Sequence, residues 1–381
     1  MTITDAPAIP TTSRAVPADS PARTRTRTPL WDNARFVAIT LVIVGHATLE
    51  LISKSDPAYS VYLFVYLFHV PVFVAVSGHF AQASPVTRSE LGKLFRSLVV
   101  PYLVFETIWT GIHWAISGTL SLDYTTAWWT LWFLVALVIW RLLLPLLVAL
   151  RFPMAISLVL SVAAGYVGGL DDRFALARTL GLLPFFVLGW KLKQWGLTER
   201  WMSLRPGVVR RVRAAAIVLF GIVAVVIAAN IALWRELLVR RFLLYDEDYG
   251  SFGYEQWWAG ALRLVFIGIA MLLCFAFLVL IPRTTTPLTA LGQATLYIYL
   301  LHSFVLYPIR EWSWFQGNTS LWVLAAAVGM SLALPFLLGS PIIKRVVRPL
   351  VEPRMDWLLR RAEPPLPESE GLRASPEIHV R

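Results

Sequence analysis

The residues best suited to chemistry fall on one stretch, Trp31 to Glu50, with the sequence WDNARFVAITLVIVGHATLE. It is apolar and of membrane-spanning length, yet it carries Arg35 and, eleven positions on, His46. Eleven steps of a helix make about three turns, so both side chains share one face, roughly 16 Å apart along the axis. Glu50, four residues further, continues that face. Ionisable groups inside a membrane helix are costly, and they mark substrate or proton sites by default. A guanidinium grips oxyanions through a planar fork, and a neutral imidazole takes up protons near pH 7. The pair therefore fits anion binding at one end of a helix and general-base chemistry at the other. The plainer readings are a snorkelling anchor for Arg35, a buried helix-bonded His46 and an interfacial carboxylate for Glu50.

Other segments bring further groups to the same two depths. If the first helix enters from the cytoplasm, Arg35 lies near the inner headgroups and His46 beyond the midplane. The second helix returns inward, which sets His69 level with His46 and brings Ser77, Gly78 and His79 to the inner face. Lys93 and Arg96 follow at that face. The inner pole is then cationic and suits the phosphates of a cytosolic donor. A donor such as acyl-coenzyme A would anchor there and extend its pantetheine arm to the histidines, where a hydroxyl acceptor arrives from outside. His46 is read as the base and Glu50 as its orienting partner. Arg35, Ser77, Lys93 and Arg96 are read as donor contacts. His69 has two equal readings, catalytic or bonded to a carbonyl freed by Pro71. Ser77 as a nucleophile is the weaker reading, because Gly78 beside it points to close helix packing. His302, with Tyr299 one turn back, stands on the acceptor side or ties helices together. Asp32 is read as a partner of Arg35 or a helix cap. The histidines lack close ligand spacing such as HExxH, so no metal is implied.

Membrane helices must position these groups. The chain has 381 residues, of which 57% are hydrophobic and only 15% charged, a poor composition for a soluble domain. Ten apolar spans are expected, near 33–53, 60–82, 96–117, 129–150, 153–170, 174–192, 213–234, 258–281, 290–309 and 321–343. The fifth is interrupted by Gly165, Gly168 and Gly169. The net charge of +11 collects in alternate loops, the positive-inside pattern, so nucleic acid is not the expected partner. Both termini are expected in the cytoplasm. The chain divides into a disordered tail over 1–30, a membrane domain over 31–345 and a second, largely disordered tail over 346–381. The external 235–257 loop is long enough to cover the site. The single cysteine, Cys274, rules out an intramolecular disulfide.

Several short motifs, in order, carry a family resemblance. Arg35-x10-His46 in an opening helix resembles the signature of the membrane-bound acyltransferase type 3 family. Phe68 to Gly78, FHVPVFVAVSG, is similar to its FHxPxFxxxSG motif. Lys93-Leu94-Phe95-Arg96 ahead of Pro101-Tyr102 resembles its paired basic residues before a PY turn. Trp132-Phe133-Leu134 resembles its WFL element, and Leu291 to His302, LGQATLYIYLLH, its late helix ending in YxxH. The opening WDNARF looks closest to the fucose 4-O-acetylase-like branch. His79 after Ser77-Gly78, and Lys93 where arginine is common, depart from the pattern. The resemblance implies a multi-pass enzyme of the inner (plasma) membrane. It would move an acyl group, most often acetyl, from coenzyme A to a hydroxyl of a sugar or cell-surface glycan. The rival from another class is a proton-coupled transporter that uses Arg35, His46, Glu50 and His69 as a relay. A non-catalytic membrane scaffold is the third reading. No internal repeat supports the transporter.

Overall fold

Proline placement sets where seven of the helices begin. Pro29, Pro57, Pro101, Pro153, Pro206, Pro287 and Pro341 each occupy the first or second helical position, where a missing N–H costs nothing. The computed structural model describes residues 28–170, 173–315 and 317–353. Residues 1–27 and 354–381, most of the two expected tails, lie outside the described residues.

The chain is all-helical, with no strand among the described residues. In order the helices are α1 Pro29–Thr48, α2 Asp56–Tyr66, α3 His69–His79, α4 Arg88–Leu94, α5 Val100–Ser117, α6 Trp132–Ala149 and α7 Pro153–Ala164. Then follow α8 Leu176–Gln194, α9 Leu197–Ser203, α10 Pro206–Ala229, α11 Ile231–Glu236, α12 Val239–Leu244 and α13 Trp258–Leu280. The last are α14 Pro287–Gly292, α15 Thr295–Glu311, α16 Leu321–Leu338 and α17 Pro341–Val351. A helix lies in each of the ten expected spans. Five apolar runs meet the length and composition needed to cross a bilayer: Asp56–His79, Trp132–Ala149, Pro206–Ala229, Trp258–Leu280 and Leu321–Leu338. The chain is an integral membrane protein.

Departures from the expected spans have local causes. The second span breaks between Tyr66 and His69. Pro71 has no N–H and its ring crowds the carbonyl four residues back, that of Leu67, so the helix restarts there. A π-turn over Phe95–Val99 joins α4 to α5, just where Pro101 cannot donate back into the helix. Helix α7 has only 12 residues. That is about 18 Å of rise, short of a hydrocarbon core of about 30 Å. Helix α17 runs through to Val351, past the expected tail boundary at 346.

Helix α1 occupies the centre and packs on α2, α3, α14, α15 and α16. Two close approaches hold this core. A Cβ on Gly78 would fall 2.0 Å from the Phe186 carbonyl oxygen, and one on Gly189 1.8 Å from that of Ala75. Helices α3 and α8 can therefore cross only through these glycines. At the start of α1, buried Asn33 donates to the carbonyls of Pro282 and Thr284, both at 3.0 Å. Its Oδ1 accepts from Thr286 and Thr289, at 2.9 and 2.8 Å. One side chain thus satisfies four groups and fixes the helix end that carries Arg35.

Candidate active site

Three cavities adjoin one another, two around α1 and a third that opens at the surface. The first, about 260 Å³, surrounds the C-terminal half of α1 and is lined by His46, Tyr66, His69, Trp129, Arg178, Arg240, Asp246, Tyr299 and Arg310, among others. The second, about 270 Å³, surrounds the N-terminal half and is lined by Arg35, Ser77, Phe80, Arg141 and Gln293. Phe73, Phe133 and Tyr299 line both, so these three rings are the wall between them. They pack edge to face, Phe73 on Phe133 at 5.0 Å and Phe133 on Tyr299 at 5.9 Å between ring centroids. The third cavity, about 170 Å³, is lined by Lys93, Glu90 and Gln82 and shares Phe80 and Arg141 with the second.

Histidines converge on the first cavity from three helices. His302, fully buried on α15, sits behind His46, with ring centroids 5.6 Å apart. Its Nδ1 meets the Tyr299 carbonyl at 2.5 Å. A carbonyl only accepts, so Nδ1 carries the proton and Nε2 keeps the lone pair. That Nε2 and the Nδ1 of His46 are both buried with no hydrogen-bond partner among the described residues. His69 donates from Nδ1 to the Val65 carbonyl at 2.8 Å, at the break made by Pro71. It also lines the cavity, so the structural bond and the site position coexist. Trp129 meets His46 edge to face at 5.1 Å and carries the Arg310 guanidinium over its own ring at 5.2 Å. Tyr299 donates its hydroxyl to the Thr130 carbonyl.

Glu50 stands apart. Helix α1 stops at Thr48, so the expected continuation of the Arg35–His46 face ends one turn short. Glu50 lies in the following turn and does not line the first cavity. The residues read from the sequence as donor contacts separate as well. Arg35 lines the second cavity, stacks over Phe80 at 4.2 Å and pairs with Asp32 at 3.2 Å. Ser77 lines it too, but its hydroxyl donates to the Phe73 carbonyl at 2.9 Å. Lys93 lines the third cavity. Arg96 donates to the Gly92 carbonyl at 3.3 Å on its own helix and borders none of the three.

The 235–257 loop walls the first cavity with α12 and with Arg240 and Asp246. Asp246 pairs with Arg178 at 2.7 Å, and Arg240 donates to the Tyr62 hydroxyl at 3.4 Å. Glycine notches seat the loop. A Cβ on Gly165 would strike the Tyr249 ring at 2.1 Å, and one on Gly181 the Tyr245 Cβ at 2.8 Å. Arg263 of α13, 1% exposed, lies over both rings, at 5.1 Å from Tyr245 and 4.7 Å from Tyr249. Burial pushes the Tyr249 phenol up to about 12 against the opposing pull of Arg263, so the ring meets the cation neutral. Arg141, Arg263 and Asn33 do not emerge from motif spacing. Their signal in the sequence is a lone polar group within, or at the mouth of, an apolar run.

Comparison with known proteins agrees with this architecture. Residues 30–340 match the family described as an acyltransferase domain, type 3, and the chain belongs to that family. A stretch of 97 residues is 34% identical to the nodulation protein NolL of Mesorhizobium japonicum. That match covers 24% of this chain and 26% of the relative, so it spans about a quarter of NolL. No solved structure matches.

Proposed function

We propose that the chain is an inner-membrane O-acyltransferase that carries an acyl group, acetyl in the simplest case, from cytosolic acyl-coenzyme A to a sugar or glycan hydroxyl. The observation that carries this reading is the shared wall. The Arg35 cavity and the His46 cavity meet at Phe73, Phe133 and Tyr299, and their two functional residues sit roughly 16 Å apart on one helix. A donor with phosphates at one end and a thioester on a long arm at the other has that form. Ten spans with both termini in the cytoplasm would open the arginine side to the cytosol and the histidine side outward.

His46 acts as general base in this reading, with His302 in place of Glu50 as its partner. His46 Nδ1 and His302 Nε2 are both without a hydrogen-bond partner among the described residues, and a proton on His46 Nδ1 would complement the lone pair on His302 Nε2 and leave His46 Nε2 as the basic atom. That atom takes the acceptor's hydroxyl proton as the oxygen attacks the thioester carbonyl carbon. The tetrahedral intermediate then expels the thiolate, the C–S bond breaks, and the proton on His46 passes to sulfur. The products are the O-acyl ester and free coenzyme A. Transfer is direct, because the Ser77 hydroxyl is bonded to its own helix and Cys274 is buried away from the cavities. Trp129 and Trp132 offer flat faces for a sugar ring, and Arg240, Arg310 and Asp246 offer polar contacts.

The test is donor-dependent chemistry in nanodiscs with radiolabelled acetyl-coenzyme A. Coenzyme A release that rises with added sugar acceptors and stops in His46→Ala supports the reading. Uptake of labelled solute into liposomes, with no acyl transfer, would favour the transporter.

A further inference from the structure

Arg141 is the only charged residue in the apolar run Trp132–Ala149. It is the tenth of 18 residues, about 12 Å of helix from the nearer end at Ala149, too deep for its guanidinium to reach that end by snorkelling. A lone arginine at such depth is costly and marks a function by default. No carboxylate neutralises it among the described residues, and its Nε is buried with no hydrogen-bond partner there. Glu90, the carboxylate that lines the third cavity, already accepts from the Thr87 N–H at 2.8 Å to cap α4. Arg141 lines both the Arg35 cavity and the Lys93 cavity, and with Phe80 it forms their common wall.

The order of the cavities is informative. Passing away from His46, a ligand would meet Phe73, Phe133 and Tyr299, then Arg35 with Arg141, then Arg141 with Lys93. Passing along acyl-coenzyme A from the thioester, one meets the pantetheine arm, the diphosphate and then the ribose 3′-phosphate. The two orders coincide. We infer that Arg141 is a donor-binding residue. With Arg35 it grips the diphosphate, and the adjoining Lys93 takes the 3′-phosphate. This rests on the acyl-coenzyme A reading above and adds the subsites that recognise each phosphate.

The test compares three donors on protein in nanodiscs: acetyl-coenzyme A, its 3′-dephospho form and acetylpantetheine. Arg141→Gln should weaken both nucleotide donors by about tenfold or more, the loss of one charge-assisted contact, and leave acetylpantetheine unchanged. Arg141→Lys should restore most of that affinity, whereas Arg141→Met, which keeps the packing, should not. Lys93→Gln should erase only the gap between acetyl-coenzyme A and its dephospho form. Unchanged nucleotide-donor affinity in Arg141→Gln, or an equal loss for acetylpantetheine, would overturn the inference while wild type still binds donor. A wild type that binds none of the three would overturn the acyltransferase reading itself.

Discussion

His302 sets its ring 5.6 Å from that of His46 and is itself fixed by a bond from Nδ1 to the Tyr299 carbonyl. Two residues 256 positions apart in the chain thus form the imidazole pair at the centre of the site, His302 fully buried and His46 half-buried at the cavity wall. Their substitution effects should differ in kind. His46→Ala should lower turnover by about 10²–10⁴-fold, the usual weight of a general base, and leave donor affinity intact. His302→Ala should lower turnover less and should move the pH–rate profile, because it acts through His46. Steady-state kinetics across pH separates the two. Equal losses with no change in the profile would contradict the pairing.

Much of this site was legible in the sequence, and part was not. The eleven-residue spacing alone puts Arg35 and His46 on one face, and the structure lines one cavity with each. That reading needs only helical geometry. The same spacing carries that face on to Glu50, because it assumes an unbroken helix, whereas α1 ends at Thr48. His302 arrives through tertiary packing, which local periodicity does not encode. Arg96 followed the positive-inside pattern but turned to its own helix, since charge patterns report sidedness rather than side-chain direction.

The α3–α8 crossing gives a stability prediction. Gly78→Ala or Gly189→Ala would drive a methyl group into a backbone carbonyl, which cannot rotate away. Each should cost about 1–3 kcal/mol or more, seen as a lower unfolding temperature in detergent. Gly221→Ala on α10, where a new Cβ meets nothing within 4 Å, should be neutral to slightly stabilising. Matching unfolding temperatures for the three would contradict the packing argument.

Asn33 should link stability to donor binding. Asn33→Asp keeps the shape and can accept from Thr286 and Thr289, but it cannot donate to the two carbonyls of the 282–284 segment. The unmet carbonyls cost about 1–3 kcal/mol, and the end of α1 that carries Arg35 loosens. Thermal unfolding should fall and the dissociation constant for acetyl-coenzyme A should rise together. Lower stability with unchanged donor affinity would show that Asn33 has no part in placing Arg35.

The clamp of Arg263 on Tyr245 and Tyr249 should govern the acceptor side alone. Tyr249→Ala empties the notch at Gly165 and releases the loop that brings Arg240 and Asp246 to the cavity. Acceptor KM should rise while donor affinity stays the same, and Tyr249→Phe should retain most wild-type behaviour because the ring is kept. A change in donor affinity instead would contradict this division of the site.

The central claim is that donor binding and proton transfer sit at opposite ends of one helix. Calorimetric titration of acetyl-coenzyme A into nanodisc-embedded wild type, Arg35→Ala and His46→Ala tests it most directly. Saturable binding is expected of wild type and His46→Ala, and lost or much weakened binding of Arg35→Ala. Equal binding by all three, or no binding by a folded wild type, would contradict it.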